Sequence, residues 1–408
     1  MSNVPDIRFK GFTDAWEQRE LGDIVDIYDG THQTPKYTEN GIKFLSVENI
    51  SDFNTNKYIS EEDFNKEFKV YPERDDILMT RIGSVGLTNV ISTDELYAYY
   101  VSLALLKNNR NNSPHFINFL MQSNEVQNEI WKRTLHIAFP KKINKNEIGK
   151  VKLFITNYDE QLKIGKLFEE LNETITLLQR ELDLLKIKKN SYVQMLFPRV
   201  DNNNPYIRLN EYEDDWYSVK LESISSRVTR KNKNLESKTP LTISALHGLV
   251  DQTEYFSKQI ASIKLENYLL IKNGEFAYNK SYSNGYPYGT VKRLDNYEKG
   301  VLSSLYIIFE LIKDIDSNFI KYYFETDLWH KDVQKKSAEG ARNHGLLNIT
   351  AKDFLSINIK VPKDIHEQIK IGQFFTDLDR DINNIKREIN VYQQIKKAFL
   401  QKLFPKGE

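Results

Sequence analysis

The sequence predicts an α+β chain: two mixed α/β heads separated by two long antiparallel coiled-coil helices, arranged as a tandem repeat with a pseudo-twofold axis. Three observations predict it. The opening Ile7-Arg8-Phe9, followed by Asp14, Trp16, Leu21 and Ile24, recurs without a gap as Ile207-Arg208-Leu209, Asp214, Trp216, Leu221 and Ile224. Residues 159–199 also match 366–406 without a gap. In that match Glu160-Gln161, Lys163-Ile164-Gly165 and Phe168 return as Glu367-Gln368, Lys370-Ile371-Gly372 and Phe375, and both copies close on Leu-Phe-Pro at 196–198 and 403–405. Within the second match, apolar residues recur at alternating steps of four and three, the spacing of a helix that buries one stripe against a partner.

The elements follow in order. The first head, residues 1–158, holds an apolar run at 24–28 and a strand at 77–79, each followed by a polar loop. The first helix, 159–200, carries the seam Ile164, Phe168, Leu171, Ile175, Leu178, Leu182, Leu185, Lys189, Tyr192 and Leu196. The second head, 201–365, begins with the polar linker 201–205. The second helix, 366–408, repeats the seam as Ile371, Phe375, Leu378, Ile382, Ile385, Ile389, Tyr392, Lys396, Phe399 and Leu403. No proline interrupts either run, and Pro198 and Pro405 stand where a ring without an N–H ends a helix. Each helix reaches roughly 50 Å at its rise per residue. Two apolar stripes in one chain are most simply buried against each other, antiparallel, with the heads at opposite ends. Lys189 and Lys396 are then either a register device or side chains that snorkel from the seam.

Composition narrows the function classes. The chain has 408 residues with 57 basic and 57 acidic side chains, so no overall field draws it to a polyanion. Local basic clusters do occur, at Lys132, Arg133, Lys141, Lys142, Lys145, Lys150 and Lys152, and at Arg227, Arg230, Lys231, Lys233 and Lys238. Cysteine is absent, which excludes disulfide frameworks, thiol nucleophiles and thiolate zinc sites. The seven histidines show no metal-ligand spacing. No apolar run follows Met1 and none is long enough to cross a bilayer, so a cytoplasmic protein is expected.

The domain–helix–domain–helix plan, with Glu-Gln-x-Lys-Ile-Gly-x-x-Phe opening each helix and Leu-Phe-Pro closing it, resembles the specificity subunit of type I restriction-modification systems. Further matching pieces are Gly11-Phe12 through Trp16, Leu21-Gly22, the stretch 76–83 in the first head and 274–280 in the second. The chain departs from the family at Thr156, where a proline usually precedes the helix; it keeps only Pro362. The resemblance implies that each head is a target recognition domain reading one half of a bipartite site in double-stranded DNA. It implies that two methyltransferase subunits clasp the helices and that ATP-driven restriction/translocase subunits join them. This chain would have no catalytic site, cofactor or metal; S-adenosylmethionine, ATP and magnesium would belong to the partner subunits. The helices would act as a ruler, so that about four residues inserted between Thr174 and Lys186 lengthen the spacer by roughly one or two base pairs.

Candidate DNA-reading residues are polar groups in glycine-bounded loops, where side chains can reach phosphates or base edges. In the first head these are Thr31, His32, Gln33, Thr34 and Lys36, with Thr80, Arg81 and Ser84. Arg81 is the leading candidate, although it could instead hold an internal carboxylate such as Asp75 or Asp76. In the second head they are Asn279, Lys280, Ser281, Tyr282, Ser283, Asn284 and Tyr286, with Arg342, Asn343 and His344.

Rival classes have weaker signatures. Asn204-Pro205-Tyr206 comes near a methyltransferase loop but lacks a proline and a glycine-rich partner motif. Gly285 to Gly289 lacks the Lys-Ser or Lys-Thr of a phosphate loop. Glu67-Phe68-Lys69 with Asp75 and Asp76 is a loose nuclease-like set. A coiled-coil scaffold that never touches DNA would explain the seam but not the divergent heads.

Overall fold

The computed structural model describes residues 3–108, 111–199, 201–208, 212–245, 247–255, 265–281, 285–312, 314–337 and 347–406. The chain divides into two compact units, one formed by Met1–Arg180 with Lys386–Glu408 and the other by Glu181–Ile385. The division passes through both long helices, Tyr158–Leu196 and Ile365–Lys402, so each unit owns a segment of each.

In the first unit the central sheet has four antiparallel strands in the order Val25–Asp29, Leu103–Asn108, Ile77–Thr80, Thr88–Val90. The run Ile77-Leu78-Met79-Thr80 is buried throughout, as befits a strand covered on both faces. Alternation assigns its residues to two cores. Ile77, Met79, Ala104 and Leu106 join Trp16, Phe116, Phe168 and Phe404 on one face. Leu78, Leu103 and Leu105 join Phe44, Phe64, Phe68 and Tyr99 on the other. The second unit repeats the design with Ser225–Val228, Ile307–Leu311, Phe276–Asn279 and Thr290–Arg293. There Phe276, Tyr278, Ile307 and Phe309 face Trp216, Phe319, Phe375 and Phe197, while Ala277 and Ile308 face the other way.

The residues shared by the two repeats build the root of each head. Glu17–Glu20 pairs with Lys152–Ile155, and Tyr217–Lys220 pairs with Asn358–Val361. Arg8 grips Glu160 with two bonds of 2.7 and 2.8 Å, and Arg208 grips Glu367 with 2.8 and 2.9 Å. The glutamates are buried, so these forked pairs lie where an unpaired charge would be costly. The copies differ in detail: Glu367 also accepts the Trp216 indole N–H at 3.3 Å, whereas Glu160 accepts the Thr156 hydroxyl. Thr156 thus takes part in the helix start in place of a proline. Asn157 completes that start, its side chain accepting the Glu160 N–H at 3.0 Å.

Each long helix then passes close to a short head helix. Gln161 accepts the Ser113 N–H at 3.0 Å and Gln368 accepts the Asp316 N–H at 3.1 Å. The repeated glycines permit the approach: a Cβ on Gly165 would stand 3.0 Å from the Phe116 nitrogen, and one on Gly372 2.8 Å from the Phe319 nitrogen.

In the first unit Phe168, near the opening of the first helix, stacks on Phe404, beyond the close of the second, with ring centroids 6.0 Å apart. In the second unit Phe375 stacks on Phe197 at 6.0 Å, the same relation with the helices exchanged. Both units therefore hold the helices antiparallel. Of the predicted seam, Leu171, Leu182, Leu378, Ile382, Ile385 and Ile389 are buried, while Ile175, Leu178, Leu185 and Tyr392 are half-buried.

The two seam lysines differ. Lys189 makes 2.8 Å ion pairs with both Glu325 and Asp379 and lies over the Tyr322 ring. Burial pulls its ammonium down, but the two carboxylates outweigh this and hold it above the ordinary lysine value. Lys396 lies over Phe119, and burial lowers it; the positions corresponding to Asp379 and Glu325 are the neutral Asn172 and Gln122. Lys189→Met is therefore expected to cost about 1–3 kcal/mol by leaving Asp379 without its ion pair and Glu325 with only Lys292 at 3.8 Å, and Lys396→Met to be neutral or stabilising. Equal losses in urea denaturation of the two variants would refute this distinction.

Candidate nucleic-acid interface

In the first unit two loops, after Val25–Asp29 and after Ile77–Thr80, leave the same end of the central sheet, a third, 135–142, is bonded to the second of them, and Arg81 joins the segments that carry all three. Its guanidinium pairs with Asp29, just before the loop 30–36, and donates to the Ile143 carbonyl at 3.3 Å. Its own N–H donates to the Ser102 carbonyl at 2.9 Å, next to Val101, whose N–H donates to Thr31 at 2.9 Å. Arg81 is 9% exposed and Thr80 only 1%. The expectation that these two side chains project toward a groove is corrected: both turn inward. Thr80 uses its hydroxyl to close its own turn, donating to the Ser84 carbonyl and accepting the Leu87 N–H. The carboxylate held by Arg81 is Asp29, neither Asp75 nor Asp76.

The outward groups at this end are His32, Gln33, Thr34, Lys36 and Ser84, all exposed, with Thr31 half-buried. The third loop, 135–142, carries none of the sequence candidates. The Leu135 N–H donates to the Lys142 carbonyl at 2.7 Å, and the Gly83 N–H donates to the Lys141 carbonyl at 2.8 Å. Its one sequence signal is an apolar pair, Ile137 and Phe139, inside a lysine-flanked stretch with neither helical nor strand period.

The second unit matches this frame. The Leu347 N–H donates to the Lys280 carbonyl at 2.9 Å, as Ile143 does to Arg81, so the segment after Phe276–Asn279 is joined to the chain that follows residue 346. Asn279, Lys280, Ser281 and Tyr286 are half-buried, and the Asn279 side chain accepts the Ser281 N–H at 3.0 Å. Tyr282, Ser283, Asn284, Arg342, Asn343 and His344 lie outside the described residues.

The basic clusters are partly neutralised. Lys132 and Arg133 share Glu129 at 3.0 Å each, Lys150 pairs with Glu147 at 2.8 Å and Arg230 with Glu275 at 2.6 Å. Lys141 and Lys142 are exposed and have no ion pair among the described residues. The residues of the rival motifs have local duties. Asp76 is bound by Lys107 at 2.8 Å and by the Glu73 and Asn108 N–H groups, and Asn204 accepts the Trp216 N–H at 3.2 Å. Among the described residues no group of three or more His, Asp or Glu side chains is placed to hold a metal ion, and no helix is long and apolar enough to cross a membrane.

Residues 13–187 match the model of the type I restriction modification DNA specificity domain. The chain is 24% identical over 225 residues to the putative type I restriction enzyme MjaX specificity subunit of Methanocaldococcus jannaschii, covering 50% of this chain and 52% of that protein. It is 31% identical over 110 residues to the type I restriction enzyme MjaVIII specificity subunit of the same organism, covering 27% and 24%. The matches thus span about half the length of these curated relatives or less. In fold, the chain is similar to the S subunit of a type I restriction-modification system from M. genitalium, with a TM-score of 0.65 at 16% identity over 99% of this chain and 100% of that one.

Proposed function

From the match of residues 13–187 to the type I restriction modification DNA specificity domain, we propose that this chain is a member of that family and selects the DNA site for a multisubunit enzyme while performing no chemistry itself. Each head reads one half of a bipartite duplex target. The long helices set the unread spacer and dock two methyltransferase subunits, and ATP-driven restriction/translocase subunits join that core in the cytoplasm. S-adenosylmethionine, ATP and magnesium are handled by those partners.

The observation that carries this reading is the contrast within each repeat. Root residues such as Arg8, Trp16 and Glu160 recur as Arg208, Trp216 and Glu367, whereas the interiors of the two heads, loops included, show little mutual likeness. A repeat that keeps its mount and changes its tip suits two readers of different half-sites. In the first head the exposed groups around Arg81 are the reading surface, and Arg81 positions them. In the second the corresponding set is Asn279, Lys280, Ser281, Tyr282, Ser283, Asn284 and Tyr286, with Arg342, Asn343 and His344.

The test combines the full chain with its methyltransferase partner on mixed duplex DNA and maps the methylated adenines. Site choice that requires both proteins supports the reading. Methylation by the chain alone would make it an enzyme, and no DNA binding would leave a scaffold. Arg81→Ala is expected to weaken target modification by about 1–3 kcal/mol and to lower the melting temperature as well, because its bonds are internal. Lost modification at unchanged stability would instead make Arg81 a direct DNA contact.

A further inference from the structure

Resting on the DNA-reading function above, we propose that loop 135–142 of the first head is an apolar wedge that drives Phe139, with Ile137 beside it, between two base pairs of the half-site that head reads. The observation is an apolar tip on a rigid basic stalk. Ile137 is 99% and Phe139 104% exposed, although side chains of this size ordinarily gain free energy by leaving water.

The stalk is held from several sides. Besides the Leu135 to Lys142 and Gly83 to Lys141 bonds, the Ile143 N–H donates to the Arg81 carbonyl at 2.9 Å. The His136 ring packs on Trp131 with centroids 4.0 Å apart, its Nε2 lies 2.9 Å from the Trp131 carbonyl, and the Lys141 ammonium sits 4.5 Å over the Trp131 ring. A tip held this way loses little freedom when it inserts.

Charge selects the occupant. Lys141 and Lys142 follow the tip without ion pairs among the described residues, and the tip is bonded to loop 80–84, which leaves the same sheet end as loop 30–36. An apolar pocket on a protein partner would match Ile137 and Phe139 but not two exposed lysines without carboxylate partners among the described residues. A duplex matches both, because phosphates flank every base step and an apolar side chain can unstack one step and kink the helix.

The experiment uses the full chain with its methyltransferase partner and duplexes of the mapped target carrying 2-aminopurine at successive positions of one half-site. The expected result is a several-fold rise in 2-aminopurine fluorescence at one step on binding. Phe139→Ala should abolish that rise and weaken binding by about ten-fold, with an unchanged melting temperature, and Phe139→Trp should keep both. Target binding and modification without any fluorescence rise, or at wild-type strength in Phe139→Ala, overturns the wedge and leaves the DNA-reading function standing. Loss of the methyltransferase subunit from Phe139→Ala, with DNA contact otherwise intact, reassigns the loop to protein docking and also overturns it. A complex that selects no DNA site overturns both proposals.

Discussion

Phe404→Ala is expected to remove about 3–5 kcal/mol from the first unit, the usual cost of emptying a buried aromatic site. Phe404 is 1% exposed and packs on Trp16, Phe116 and Phe168 with ring centroids 6.2, 5.9 and 6.0 Å away. These rings belong to the opening segment, a head helix and the first long helix, so one side chain from the far end of the sequence closes three elements together. Backbone contacts depend on the same closure: the Ile7 N–H donates to the Lys402 carbonyl at 3.0 Å. Urea titration should show the first unit unfolding at lower denaturant while the second, whose equivalent ring is Phe197, keeps its midpoint. A loss below about 1 kcal/mol would mean that the site collapses and that Phe404 does not anchor the root.

The second large effect is on target choice. A seven-residue insertion into both long helices, near 178 and 385, keeps the seam in phase because the repeat is seven residues. It adds about 10 Å of helix, and on the proposed reading lengthens the preferred spacer by about three base pairs, from the rise per residue against the base-pair step. Modification of the original target should fall to background while a target with the longer spacer becomes modified. A four-residue insertion in the first helix gives the smaller shift of about one or two base pairs. If adenine mapping showed the old spacing retained, the helices would not be the ruler.

Much of the frame is legible in the sequence because its determinants are local or duplicated. Steps of three and four suffice to place Leu171, Leu182, Leu378 and Ile389 on buried faces. The strand at 77–79 is legible from its apolar run, and the loop that follows it from Gly83. The candidate surface is legible only in part. Exposed His32, Gln33, Thr34, Lys36 and Ser84 follow from loop position alone. Arg81 does not, because its direction is set by Asp29, a residue 52 positions away. Loop 135–142 escapes a sequence reading because its apolar residues look like core when taken one at a time.

By itself, the sequence determined the tandem repeat and the two long helices with their seams, since these depend on periodicity and on motifs repeated at fixed offsets. Tertiary structure alone decided which side chains turn inward and which reach solvent. Lys189 and Lys396 occupy the same repeat position, yet only Lys189 meets Glu325 and Asp379. The physical reason is that a charge's fate depends on its neighbours in space and on its burial, and both are supplied by distant parts of the chain.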